Sequence, residues 1–215
     1  GSVSAFTDLT LTLGSSRPVY GFQPRGLDGE TVPHATVPAA AKAYLRAIQS
    51  LYPEGPLHLI GHSFGGWVVF EMALQLAGSG RRVASLTLVD TEAPHESDSM
   101  MREYTESEVL MKLVEIYEQS SGASLEIQSA DLDGLEGDAQ LKLLHQRLVG
   151  VGLMPKQSRP EMLLGTFRTF GTALRTRYCP EHHYAGPLRL VLAETGQPDH
   201  ETVVAKWRYW VNDLK

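Results

Sequence analysis

Apolar positions along the chain follow two alternating patterns. Pro56-Leu57-His58-Leu59-Ile60, Val83-Ala84-Ser85-Leu86-Thr87-Leu88-Val89 and Pro187-Leu188-Arg189-Leu190-Val191-Leu192-Ala193 are short, nearly continuous apolar runs. Runs of that length predict strands buried on both faces of a parallel sheet. Pro18-Val19-Tyr20-Gly21-Phe22 is a weaker fourth. Between them, Val37 to Ser50 is rich in alanine and leucine and predicts a helix. Gly66 to Ala77 is apolar almost all round, as in a helix packed into a core, and Gly78-Ser79-Gly80 supplies its stop. Strand alternating with helix predicts an α/β fold with a mostly parallel central sheet.

From Thr91 to Gly186 the rhythm changes. Val109, Leu110, Leu113, Val114 and Tyr117 recur at helical spacing, as do Leu141, Leu144, Leu148 and Val149. A third helix is predicted through Glu161, Leu164, Phe167, Phe170 and Leu174, and the stretch from Gly122 to Asp138 is polar. No strand is predicted here. Insertions at the C-terminal ends of strands lie over the site in open α/β folds, so residues 91–186 are expected to form a helical lid within one domain, 1–215. Trp67, Met72, Phe167 and Phe170 are candidates to line an acyl channel, but aromatic and methionine residues at helical spacing are more often core, and they are expected there.

Composition narrows the function classes. A formal net charge of -6 argues against nucleic acid as the main partner, because phosphate binding wants a basic surface. No apolar run approaches the roughly 18–20 residues of a membrane span, and no secretory signal opens the chain. The single cysteine, Cys179, forms no internal disulfide, which fits a reducing, cytoplasmic location. It is expected to be a half-buried apolar side chain.

Gly61-His62-Ser63-Phe64-Gly65-Gly66 carries the chemistry. It fits G-x-S-x-G and falls between a buried strand and a buried helix, where a nucleophile elbow must lie. A sharp strand-to-helix turn lifts the Ser63 hydroxyl clear of the sheet. Glycines at 61 and 65 are expected to remove Cβ atoms that would collide in the turn. The helix N-terminus aims N–H groups at the reacting centre, with Phe64 N–H the expected oxyanion donor. A serine needs a base and an acid. Asp90 ends the next buried strand, and Asp199 follows the Leu188–Ala193 strand; spacing alone does not choose between them.

Longer motifs add a resemblance. Pro18-Val19-Tyr20-Gly21-Phe22-Gln23-Pro24-Arg25-Gly26-Leu27-Asp28-Gly29-Glu30 resembles the start of the thioesterase domains that release products from nonribosomal peptide and polyketide synthases, members of the α/β-hydrolase superfamily. The elbow followed by Phe70-Glu71-Met72-Ala73, then Leu88-Val89-Asp90-Thr91-Glu92-Ala93-Pro94, and finally Tyr178-Cys179-Pro180 through Tyr184-Ala185-Gly186-Pro187 resemble the same family. The resemblance implies that Asp90 is the acid and that an acyl or peptidyl chain passes to Ser63 from the phosphopantetheine of a carrier protein, with that carrier in the same parent polypeptide. Release follows by hydrolysis or macrocyclisation, with no metal and no bound cofactor. Stand-alone editing thioesterases are related, but usually have methionine where Phe64 stands.

Two departures from the family pattern matter. The family's histidine lies beyond a helix that matches Glu201 to Trp210, so the base is expected past Lys215. The family's opening His-Pro-x-Gly-Gly-Ser turn is matched only by Gly1-Ser2-Val3, two residues of which are equally a cloning remnant. The domain is therefore expected to be incomplete at both ends. His34, His58, His62, His145, His182 and His183 are poorly placed by sequence. His95 and His200 are nearer candidates, but are expected to be exposed loop residues. A general esterase of the same fold and an inactive acyl-binding module are the competing readings.

Overall fold

The computed structural model describes residues 3–16, 18–94, 103–194 and 199–215. Its helices are α1 (Thr7–Leu13), α2 (Val37–Leu51), α3 (Phe64–Gly78), α4 (Glu106–Ser121), α5 (Asp138–Gly150), α6 (Leu164–Arg175) and α7 (His200–Trp210). Its strands are β1 (Leu57–His62), β2 (Val83–Val89), β3 (Tyr184–Val191) and β4 (Val211–Leu214). The chain divides into two compact units, Gly1–Pro33 with Arg102–Arg175 and His34–Met101 with Thr176–Lys215.

The second unit holds the sheet, in the order β1-β2-β3-β4, with every pair parallel. Parallel neighbours need crossovers, and α3 and α7 supply two of them. Two of this unit's helices start on a side-chain cap. The Thr36 hydroxyl accepts the Ala39 N–H at the start of α2, and Pro38 sits in its first turn, where no N–H is needed. The Asp199 carboxylate does the same for α7 through the Glu201 N–H. Phe70 of α3 meets Trp207 of α7 edge-on, with ring centroids 5.2 Å apart, and Tyr184 of β3 at 6.0 Å. Phe70, Trp207, Leu88 and Leu188 are wholly buried. Each such side chain contributes about 1.5–3 kcal/mol by leaving water.

The three strongest strand predictions all form strands, β2 with the predicted bounds and β1 and β3 with shifted ends. β1 runs two residues further than its apolar run, to His62. β3 begins three residues before Pro187, with an irregular register between Tyr184 and Pro187 that lets the proline sit inside the strand. Burial on both faces holds only for β2. Along β1 and β3 buried and exposed positions alternate, and Ile60 and Val191 are nearly half exposed. The weaker run at Pro18–Phe22 forms no strand. Its Val19 and Tyr20 side chains are exposed, and Pro18 lacks the N–H that a ladder requires. Cys179 is exposed rather than half-buried.

The first unit contains α1, α4, α5 and α6 and, among its described residues, no strand. A capping box starts α4: the Thr105 hydroxyl accepts from Glu108 N–H, and the Glu108 carboxylate accepts from Thr105 N–H. Gly122 closes the helix in a left-handed conformation. Leu110, Val114, Leu141, Leu144 and Leu148 form one apolar cluster with Leu125, Ile127, Leu132 and Leu163. Three members of that cluster come from the polar Gly122–Asp138 stretch, which thus crosses the core instead of lying outside it. The predicted third helix is a 3-10 turn, Pro160–Leu163, followed by α6. Residues 26–29 pack on α6: a Cβ on Gly165 would strike the Leu27 carbonyl, and Arg168 donates to the Gly29 carbonyl. Among the described residues no helix is long and apolar enough to cross a membrane.

Candidate active site

The elbow forms where β1 gives way to α3. Ser63 has φ 51° and ψ -127°, a conformation that costs a non-glycine residue about 1–3 kcal/mol. Its surroundings hold it there. The Ser63 N–H donates to the Val89 carbonyl at 2.9 Å, and the Gly66 N–H donates to the Ser63 carbonyl at 2.8 Å. The serine side chain remains exposed. Phe64 opens α3, so its N–H has no acceptor within the helix and is left for an outside oxygen.

Two glycines make the turn possible, but they are not the pair that the motif suggests. A Cβ on Gly61 would strike the Gly65 carbonyl oxygen and come within 2.6 Å of Val69 Cγ2. A Cβ on Gly65 would meet nothing within 4 Å. The crowded partner is Gly66, where a Cβ would strike the Thr91 hydroxyl and approach Thr91 Cβ to 2.7 Å. The expectation for Gly61 is correct, and the one for Gly65 moves to Gly66. The reason is that Gly66, not Gly65, is the residue of α3 that lies against Thr91, two residues past the end of β2.

Asp90 stands beside the elbow. The register pairs His62 with Val89 and Val89 with Val191, so Ser63 and Asp90 each follow the end of an in-register strand. Asp90 also takes a positive φ, 43°. Only three non-glycine residues do so among the described residues, and the third is Glu126. The Asp90 N–H donates to the Val191 carbonyl at 2.8 Å, and its Oδ1 accepts the Ala193 N–H at 2.6 Å. Its second oxygen has no partner among the described residues. Thr91, 1% exposed, directs its hydroxyl at the Val89 carbonyl (3.0 Å) and the Ser63 carbonyl (3.3 Å). Sequence reasoning missed Thr91; its only signal was its place next to Asp90.

Asp199 is occupied elsewhere. One of its oxygens accepts the Glu201 N–H and the other the Thr202 hydroxyl, so the carboxylate caps α7. The histidines are dispersed. His58 Nδ1 bonds the Ser85 hydroxyl, and His145, buried in the helical unit, bonds Ser158. His34 packs on Tyr44, and His183 on Tyr209 and Trp210. His200 opens α7 and bonds the Ala193 carbonyl through Nε2. His95 and Gly1-Ser2 lie outside the described residues. Among the described residues no group of three or more His, Cys, Asp or Glu side chains is placed to hold a metal ion.

A family model described as "Thioesterase domain" matches residues 1–141. The chain belongs to the thioesterase domain family. This thioesterase domain is 39% identical over 90 residues to malpibaldin synthetase of Mortierella alpina, a match that covers 42% of the domain and 2% of the synthetase. The domain therefore spans a small fraction of the length of the first curated relatives it matches, 2% in each case. Among solved structures it is similar to holo-AB3403, a four-domain nonribosomal peptide synthetase bound to AMP and glycine (TM-score 0.76, 25% identity, 90% of the domain and 15% of that chain). It is also similar to the NocB thioesterase domain in covalent complex with a fluorophosphonate nocardicin G analogue (TM-score 0.62, 26% identity, 100% of the domain and 77% of that chain).

Proposed function

We propose that this thioesterase domain takes an acyl or peptidyl chain from a carrier-protein phosphopantetheine thioester onto Ser63 and then releases it. The observation that carries the reading is the pairing of two strained residues, Ser63 and Asp90, at the ends of adjacent parallel strands. Backbone strain of this kind persists where the surroundings over-determine it, and it clusters at reactive sites.

In the acylation step Ser63 Oγ forms a bond to the thioester carbonyl carbon and the carbon–sulfur bond breaks. A histidine base takes the hydroxyl proton and passes it to the departing thiolate. Asp90 offers its unpartnered oxygen to that base, while Ala193 N–H fixes the other oxygen and so the plane of the carboxylate. The Phe64 N–H supports the oxyanion. Water, or an amine or hydroxyl of the bound chain, then attacks the ester and regenerates Ser63. None of the described histidines is assigned as the base, since none is bonded to Asp90 or Ser63 and most are tied to other groups. The acid role goes to Asp90 over Asp199 because helix capping consumes both Asp199 oxygens.

Intact mass before and after exposure to an acyl-pantetheine thioester tests the reading. An adduct of the acyl mass that maps to Ser63, and is absent in Ser63→Ala, is expected. No adduct on the unaltered protein overturns the catalytic reading and leaves an inactive acyl-binding module. Turnover of simple esters with none of thioesters favours a general esterase.

A further inference from the structure

The chain has three tryptophans, and all three indole N–H groups donate to the four residues after Asp90. Trp207 donates to the Thr91 carbonyl at 2.8 Å, Trp67 to the Glu92 carbonyl at 2.7 Å and Trp210 to the Pro94 carbonyl at 3.1 Å. Trp207 and Trp210 come from α7 and are buried. Trp67 is different. It lies on α3, one turn after Ser63, and its ring packs on Phe64 (5.8 Å between centroids) and on Tyr178 (5.9 Å). A single side chain therefore touches the residue next to the nucleophile and grips the segment that carries the acid.

We propose that Trp67 is a positioning residue that holds the Ser63 turn and the Asp90 segment at a fixed separation, through its indole N–H on the Glu92 carbonyl and its ring against Phe64. The proposal rests on the catalytic reading of Ser63 and Asp90. The Asp90 carboxylate is held on one side by the Ala193 N–H and on the other by the chain that follows it, so the anchoring of residues 91–94 is the second constraint on its direction. Trp207 and Trp210 anchor that segment to α7, the crossover between β3 and β4, and Trp67 anchors it to the nucleophile's own helix. Of the three indole bonds, that of Trp67 runs from the nucleophile's own helix, and it adds to the Thr91 hydroxyl contact on the Ser63 carbonyl. Glu92 is exposed, so water can replace the indole at its carbonyl, and Trp67→Phe keeps an aromatic ring beside Phe64 while removing the N–H donor; the Asp90→Asn background separates the loss of the tie from the loss of packing.

The test is the rate at which a fluorophosphonate labels Ser63 in the unaltered protein, Trp67→Phe, Asp90→Asn and the double variant, followed by intact mass. Labelling forms the Oγ–phosphorus bond, expels fluoride and gives the serine proton to the base, so it reports attack by the activated serine without the release step. Trp67→Phe is expected to label about 10-fold more slowly, with a Tm within about 3 °C of the parent. In the Asp90→Asn background the same change is expected to have no further effect, because the tie then has no working acid to aim. Equal rates for the parent and Trp67→Phe overturn the proposal. So does a 10-fold loss that persists in the Asp90→Asn background, since that is a packing effect independent of the acid. If Trp67→Phe does not fold, hydrogen exchange of the Trp67 indole in the unaltered protein decides: slow exchange supports the tie and exchange at the solvent rate overturns it. Failure of the unaltered protein to label at Ser63 is a separate result, which refutes the catalytic reading and this one with it.

Discussion

The glycines of the elbow give the sharpest prediction, because the motif and the structure disagree about which of them is needed. In Gly66→Ala the new methyl would lie 2.5 Å from Thr91 Cγ2 and 2.7 Å from Thr91 Cβ, well inside the 3.5–4.0 Å of an ordinary carbon contact. Thr91 cannot simply swing away, because it is 1% exposed and its hydroxyl serves the Val89 carbonyl. Overpacking at such a site costs about 2–3 kcal/mol. Alanine in place of glycine within α3 returns about 0.5–1 kcal/mol by restricting the unfolded chain. The net loss is about 1–2.5 kcal/mol, a fall in Tm of about 2–10 °C for a chain of this length. Gly65→Ala has the second effect without the first, since its methyl meets nothing within 4 Å, and should raise Tm by about 1–4 °C. Thermal unfolding of the two variants beside the parent measures both signs. If Gly65→Ala falls as far as Gly66→Ala, or if Gly66→Ala melts with the parent, the packing argument around Thr91 is wrong.

Two further outcomes separate structural carboxylates from the proposed catalytic one. Asp199→Ala removes the cap of α7 and should lower Tm by about 2–4 °C while leaving Ser63 labelling unchanged; Asp90→Asn should keep Tm and slow labelling by on the order of 10⁴-fold, and the reverse pattern would move the acid to Asp199. Asp28 titrates below its ordinary value of 3.8, because its carboxylate accepts the Thr31 and Glu30 N–H groups. Its contribution to the 28–31 loop is thus present above the unfolded pKa and lost as the pH falls through the lower folded one, which a carboxyl carbon titration by NMR checks; a midpoint at or above 3.8 refutes it.

What was legible in the sequence was what repeats locally. The helical spacing of Leu110, Leu113 and Val114 and of Leu141, Leu144 and Leu148 marked faces that are buried, because a helix face is a property of neighbours three and four apart. The elbow was legible for a similar reason: a strand, a turn and a helix succeed one another within twenty-odd residues. β4 was not. Its sequence, Val-Asn-Asp-Leu, has no apolar run, and it is a strand because the open edge of β3 offers a ladder to any short extended segment. Leu125, Ile127 and Leu132 were hidden in the same way, since each is isolated among polar residues and joins a cluster whose other members come from α4, α5 and the Pro160–Leu163 turn.

The site shows the deepest form of this limit. Neither Ser63 nor Asp90 prefers the backbone conformation it adopts, so no local propensity points to either. That conformation is imposed by a set of backbone bonds from the next strand along: Val89 for Ser63, Val191 and Ala193 for Asp90. Each strained residue is held by the neighbouring strand of the sheet, so the geometry is transmitted sideways across β1, β2 and β3 and not along the chain. A motif records which residue tolerates the turn; it does not record which neighbour enforces it. That is why the pattern named Gly65, a position that faces open space, and passed over Gly66 and Thr91, where the elbow and the acid segment are pressed together. The same reasoning makes local disagreement informative. Where a residue adopts a backbone that its own side chain disfavours, and the bonds that enforce it come from elsewhere in the sheet, a purpose other than stability accounts for its being there.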